Sequence, residues 1–176
     1  MRVIAGSSRG RRLPARLPGT VRPTADRVRE AIFDMLGSMG GVDGLTVLDL
    51  FCGSGALGLE ALSRGAASVA FVDHDAAALA AVETNLKATG LEDARAALVR
   101  AVLPAWLGRA AHVDLALCDP PYTFGDWRTL LESLDADVVV LESSSPVVPP
   151  EGWVVARERR YGGTLVTVAR AGTSPS

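Results

Sequence analysis

The chain has 176 residues, 48% apolar and 22% charged, which is about one domain with enough apolar side chains for one sizeable core. That balance excludes a disordered chain, and runs of branched aliphatics no longer than Val138 to Leu141 fall far short of the roughly 18 to 20 residues of a membrane span. The net charge of −2 hides an asymmetry: residues 1–30 hold eight arginines against Asp26 and Glu30, a balance of +6, and the rest of the chain is −8. A basic arm on an acidic body often meets nucleic acid, and a solvated basic loop accounts for such a count about as often.

The opening Met1-Arg2-Val3-Ile4-Ala5-Gly6-Ser7-Ser8-Arg9 turns polar after three apolar residues, too short for a secretory signal, so a cytoplasmic location is expected. Arg2 to Ala5 and Arg11 to Leu13, about a Gly-rich turn, read as a short hairpin. Thr24 is placed to cap a helix whose apolar positions Val28, Ala31, Ile32, Met35, Leu36 and Met39 keep the spacing of one buried face, ended by Gly40-Gly41. From Leu45 apolar runs alternate with helical stretches. Strands are predicted at 46–50, 68–72, 94–99, 113–118, 137–142, 153–161 and 164–170, and helices near 57–64, 76–89, 103–108 and 127–134. This alternation implies an α/β fold with a mainly parallel seven-stranded sheet, closed by an antiparallel hairpin about Gly162-Gly163. The organisation expected is an arm at 1–20, one domain at 21–170 and a frayed tail at 171–176. Cys52 and Cys118 lack metal or disulfide spacing and are expected to be reduced and structural.

In an open α/β sheet ligands sit beyond the carboxyl ends of the strands, and three such ends stand out. After the first strand, Gly53, Gly55 and Gly58 satisfy G-x-G-x-x-G, a weak signal whose content is a tight turn that brings backbone close to a ligand. About twenty residues on, Asp73 ends the second strand, where a carboxylate can accept both hydroxyls of a ribose. A dinucleotide enzyme and a nucleoside-binding enzyme are served equally by these residues. Asp49 breaks the tie: a carboxylate just before the glycines repels a pyrophosphate and suits a ligand with a cationic amino group, such as S-adenosyl-L-methionine. After the fourth strand comes Asp119-Pro120-Pro121-Tyr122. Its two prolines fix φ and remove two donors, leaving carboxylate and carbonyl acceptors beside a ring, a set suited to a planar exocyclic amine.

The stretch Leu48 to Gly55 with Leu57-Gly58-Leu59-Glu60-Ala61, the acidic Asp73 and Asp119-Pro120-Pro121-Tyr122 resemble the class I, Rossmann-like methyltransferases that modify exocyclic amines. More narrowly, Arg2 to Gly6 with Arg9-Gly10-Arg11, Arg22-Pro23-Thr24, Val28 to Phe33 and the closing Tyr161-Gly162-Gly163-Thr164 look like the RsmD family. The resemblance implies S-adenosyl-L-methionine as cofactor and N2 of one guanine in 16S ribosomal RNA as target, within a 30S subunit or assembly intermediate, by a monomer with no membrane partner. It implies Asp119, Pro120, Pro121 and Tyr122 as catalytic residues. Cofactor contacts would come from Asp49, Phe51, Gly53, Ser54, Gly55, Gly58, Asp73 and His74, and RNA contacts from Arg2, Arg9, Arg11, Arg12, Arg22 and Thr24. One departure stands out: the family's acid after the third strand is absent from Leu98 to Leu103, so backbone near Ala101 is expected to hold the adenine. The alternative is a DNA adenine-N6 methylase or another exocyclic-amine methylase, the former needing a target-recognition segment for which no residues are to spare. The histidines His74 and His112 lie in no catalytic motif. The charge count further leads one to expect that the arm can be removed without harming the cofactor pocket.

Overall fold

The computed structural model describes residues 1–15, 17, 25–92 and 95–172. Seven strands, β1 (Thr46–Leu50), β2 (Ser68–Asp73), β3 (Ala96–Arg100), β4 (Val113–Cys118), β5 (Ala136–Ser143), β6 (Trp153–Tyr161) and β7 (Thr164–Ala171), form one sheet in the order β3-β2-β1-β4-β5-β7-β6. The first five run parallel, and β7 lies antiparallel between β5 and β6. The expected fold class is what is observed. Strands β1 and β4 are almost wholly buried because helices cover both faces, which is why they read as unbroken apolar runs. Helices α1 (Ala25–Gly37), α2 (Ala56–Ser63) and α3 (Ala76–Thr89) pack on one face around Ile32, Phe33, Leu59, Phe71, Val82 and Leu117. On the other face Leu130 and Leu131 of α4 (Trp127–Ser133) meet Leu50, Cys118 and Leu141. The order reverses between β1 and β4, so a crevice opens beyond their carboxyl ends.

Departures from the sequence reading are local. The segment expected to be helical at 103–108 makes only a 3-10 turn at Leu107–Arg109, since Pro104 lacks a donor and Gly108 disfavours propagation. The third strand runs Ala96–Arg100, and the expected start at 94 lies outside the described residues. Ala171 pairs with Trp153 and the amide of Gly172 donates to Gly152 O, so neither belongs to a tail. The proposed cap Thr24 lies outside the described residues. Edge strand β6 is exposed along most of its length, and Arg157, Glu158, Arg159 and Arg160 charge it against pairing with another strand.

The largest correction concerns the arm. Arg2 and Arg12 pair antiparallel, and Val3 and Leu13 are buried in the core under the hairpin. The amides of Ile4 and Ala5 donate to Glu60 Oε2 and Oε1 at 2.8 and 2.9 Å, and the Ser7 amide donates to Ser63 O at 2.8 Å. Gly6 is forced: a Cβ there would stand 1.8 Å from Ser63 O. Further on, the Ala15 amide donates to Asn85 Oδ1, and Asn85 Nδ2 donates both to Ala15 O and to Ser54 O in the glycine turn. Met1 and Leu17 reach the crevice itself. The hairpin is therefore a built part of the domain, and the expectation that it is separable from the pocket fails on these contacts. Its tip lies at the far end of α3: Ser8 Oγ donates to Thr89 O, and Arg11 lies against Gly90.

Glu60 of α2 joins these parts. It is 1% exposed and receives Arg64 Nε at 2.8 Å as well as the two hairpin amides, with Arg29 Nε of α1 at 3.8 Å. Glu60→Ala takes the acceptor from Arg64 and from two part-buried amides and leaves the buried Arg29 guanidinium without the carboxylate beside its Nε. The expected cost is about 3 to 5 kcal/mol, read as a shift of the urea midpoint, whereas a change under about 1 kcal/mol would show that the hairpin docks without it.

Candidate active site

The carboxyl ends of β1, β2, β4 and β5 frame a cavity of about 540 Å³. Three strand ends nominated from the sequence meet there. At β1, Asp49 is 1% exposed and its Oδ2 accepts from the Gly58 amide at 2.9 Å, so the carboxylate braces the first turn of α2 while lining the cavity. Burial pushes its pKa well up, the Gly58 bond opposes this, and the charges of Asp119 and Asp73 push it further up. An ammonium resting beside it would favour its ionised form.

The turn that follows is tight for identifiable reasons. Phe51 holds a left-handed φ of 56°, a strained state for a side chain with Cβ, and its ring lies 5.1 Å from Phe124, which lies 5.1 Å from Trp127. Gly58 has no room for a Cβ, which would come 2.4 Å from the Phe71 ring. At Gly55 the same atom would press Val82 at 2.9 Å, so both glycines serve packing under the turn. Gly53 differs: among the described residues only Leu17 lies within 4 Å of the equivalent point, and Ser54 lines the cavity beside Gly53.

Asp73 at the end of β2 ties this turn down. Its Oδ2 accepts from Gly53 N and its Oδ1 from Asp75 N, each at 3.0 Å. The exposed His74 places Nδ1 3.3 Å from Asp73 Oδ1 on the cavity wall. The Ala101 amide donates to Asp73 O at 2.9 Å, so that donor is already committed. His112 is remote, held by Asp135 at 2.7 Å beside the amino end of β4.

Beyond β4, Asp119, Pro120, Pro121 and Tyr122 all line the cavity, with Tyr122 49% exposed and the loop closed by the Phe124 amide donating to Pro121 O. Burial pushes both cysteine thiols up, reinforced at Cys52 by Asp49 and Asp73 and at Cys118 by Asp119, Asp49 and Glu142, so both stay protonated and unreactive. Sequence reasoning missed Glu142 at the end of β5, Arg29 of α1, Thr164, Met1 and Leu17, all of which line the cavity. Glu142 obeys the same strand-end rule that found the others. Among the described lining residues are five carboxylates (Asp49, Asp73, Asp75, Asp119, Glu142) and one guanidinium, that of Arg29. The carboxylates of Asp49 and Asp73 and the open cradle at Gly53 fit a cationic nucleoside ligand such as S-adenosylmethionine.

Of the arginines assigned to RNA, Arg9, Arg11 and Arg12 are exposed on the hairpin, and Arg2 Nη1 donates to Gly10 O at 2.7 Å, bracing the turn. Arg22 lies outside the described residues, as does Thr24.

A doubly wound sheet with a glycine turn after β1, an acid after β2 and an Asp-Pro-Pro-Tyr loop after β4 defines a class I S-adenosylmethionine-dependent methyltransferase. Residues 1–170 match the profile of the family described as conserved hypothetical protein 95. The chain belongs to that family, the RsmD family. It is 32% identical to ribosomal RNA small subunit methyltransferase D of Haemophilus influenzae, covering 92% of this chain and 89% of that protein. The protein of the same name from Escherichia coli K12 is 33% identical, covering 92% and 85%. The solved yhhF structure from Escherichia coli superposes with a TM-score of 0.86 at 32% identity over 99% of each chain.

Because Asp73 both fixes Gly53 and faces the cavity, Asp73→Ala is expected to weaken S-adenosylmethionine binding by about 1.5 to 3 kcal/mol, measured by calorimetry on folded protein. An unchanged titration would remove Asp73 from the site.

Proposed function

We propose that the protein methylates the exocyclic N2 amine of a guanine in 16S ribosomal RNA, as a monomer acting on the small subunit or an assembly intermediate. The observation that carries this reading is the Asp119 to Tyr122 loop, which places a carboxylate, a carbonyl and a ring on the cavity wall next to the turn at Gly53. The relatives named as ribosomal RNA small subunit methyltransferases support the substrate class. In this reading Asp73 receives the ribose, the cofactor's ammonium lies toward Asp49, and the backbone from Phe51 to Ser54 borders the methionine end. Bound there, S-adenosylmethionine supplies an activated methyl on a sulfonium.

The protein's own part is alignment and charge. Asp119 and the Pro120 carbonyl accept the two amino hydrogens, which draws the nitrogen out of conjugation and stabilises the positive charge that grows on it. Tyr122 offers a stacking face to a base unstacked from its loop, the state in which single-stranded RNA is read. The excess proton then passes to water, and no residue with a shifted pKa near neutrality is required.

Methyl transfer from labelled cofactor to free 16S RNA and to small subunits, followed by nucleoside analysis, tests the reading. N2-methylguanosine is expected, and N6-methyladenosine would replace it with the adenine alternative. Asp119→Ala should keep cofactor affinity and raise the barrier by about 2 to 4 kcal/mol, seen in single-turnover rates. Wild-type turnover in that variant would remove the acceptor role.

The hairpin arginines are assigned to phosphate contacts. Replacing Arg9, Arg11 and Arg12 with alanine leaves the docked face intact, so cofactor binding should hold. The slope of log RNA affinity against log salt should shrink by roughly 2 to 3 units. An unchanged slope would make these side chains a solvated surface.

A further inference from the structure

The Asp119 to Tyr122 loop accounts for holding an amine, yet an amine alone does not tell guanine from adenine. What distinguishes them beside the amine is N1, a donor in guanine and an acceptor in adenine. An anionic acceptor level with Asp119 would read that difference, and the structure contains one. Strands β4 and β5 are parallel with Cys118 opposite Leu141, so one residue on Asp119 and Glu142 come level on strands about 4.8 Å apart. Val140 packs in the core beneath α1 and Leu141 in the opposite one, so Glu142 shares the face of Val140, toward α1 and the cavity it lines. Its neighbourhood is consistent. The Cys118 thiol feels the charges of both Asp119 and Glu142, and Arg29, 3% exposed on the same wall, feels that of Glu142.

We propose that Glu142 is the specificity-determining residue of this site: its carboxylate accepts N1–H of the guanine whose 2-amino group is held by Asp119 and the Pro120 carbonyl. Adenine, and any purine whose N1 lacks hydrogen, then sets a lone pair against a carboxylate and is rejected. The proposal rests on the guanine-N2 reading and goes one step beyond it.

The discriminating probe is 2-aminopurine, which keeps the 2-amino group and loses N1–H. Small-subunit RNA is assembled by ligation with guanine or 2-aminopurine at the methylated position and presented both free and in reconstituted subunits. Wild-type enzyme should prefer guanine by roughly 10⁴-fold in kcat/KM, the rejection expected of a site built to bond a missing hydrogen. In Glu142→Gln the amide can turn its NH2 to N1, so the preference should fall to about tenfold or less, with cofactor affinity unchanged by calorimetry. Glu142→Asp keeps the carboxylate and should keep the preference at a lower rate. A Glu142 that merely balances Arg29 would slow both RNAs equally in Glu142→Gln, leaving their ratio at the wild-type value, and that result overturns the assignment. So does a wild-type enzyme that fails to discriminate, which requires no variant to fold. If the product is not N2-methylguanosine, the guanine reading itself has failed, and the nucleoside analysis reports this separately.

Discussion

A single buried carboxylate joins the N-terminal hairpin of this chain to the helix that follows the glycine turn. Glu60 sits on α2, the helix that the glycine turn launches, and takes its hydrogen bonds from the N-terminal hairpin and from Arg64, with Arg29 of α1 alongside. An ion buried this deeply is tolerated only when its lone pairs are filled, so hairpin and helices must assemble together. Arg29 shows the other half of the constraint: burial pushes its pKa down, while Asp26 and Glu60 draw it back up, and its remaining hydrogen bond goes to Arg2 O in the hairpin. Asn85 repeats the device on α3, joining Ala15 to the turn at Ser54. The pocket thus inherits its shape from contacts made below and beside it.

The cavity's electrostatics follow from the same economy of space. Acids at the ends of β1, β2, β4 and β5 converge because parallel strands put all their carboxyl ends on one side. Each is tolerable alone, and their mutual repulsion is what raises Asp49 beyond the effect of burial. A ligand bearing positive charge relieves that repulsion, whereas a phosphate-rich one would add to it.

The fold and three of the four strand ends were legible in the sequence, because apolar runs with a following acid or glycine are local signals. Asp49, Asp73 and Asp119 needed only the rule that ligands lie beyond strand ends. Glu142 satisfied that rule too, but Glu-Ser-Ser-Ser carries no motif and so drew no notice. The hairpin was legible as a hairpin and illegible as a wall of the pocket. Its arginines dominated the count, while the residues that dock it, Val3, Gly6, Ser8 and Leu13, are ordinary in composition, and Ser8 finds its partners 55 and 81 positions away. Nor could periodicity show that Asp49 would spend an oxygen on Gly58 or that Phe51 would turn left-handed, since both are consequences of a helix starting within a few residues of a buried strand.

The placement of the hairpin tip bears on the shape of any RNA the protein engages. The tip lies against Thr89 and Gly90 and the cavity against Asp75, at opposite ends of α3, a separation of about 21 Å at 1.5 Å per residue. On the proposed reading the protein would work as a caliper. One jaw would hold a single unstacked base and the other phosphates roughly two-thirds of a duplex turn away, so it would gauge the curvature of a folded RNA rather than a run of letters. A short linear oligonucleotide carrying the right base would fill one jaw and leave the other open.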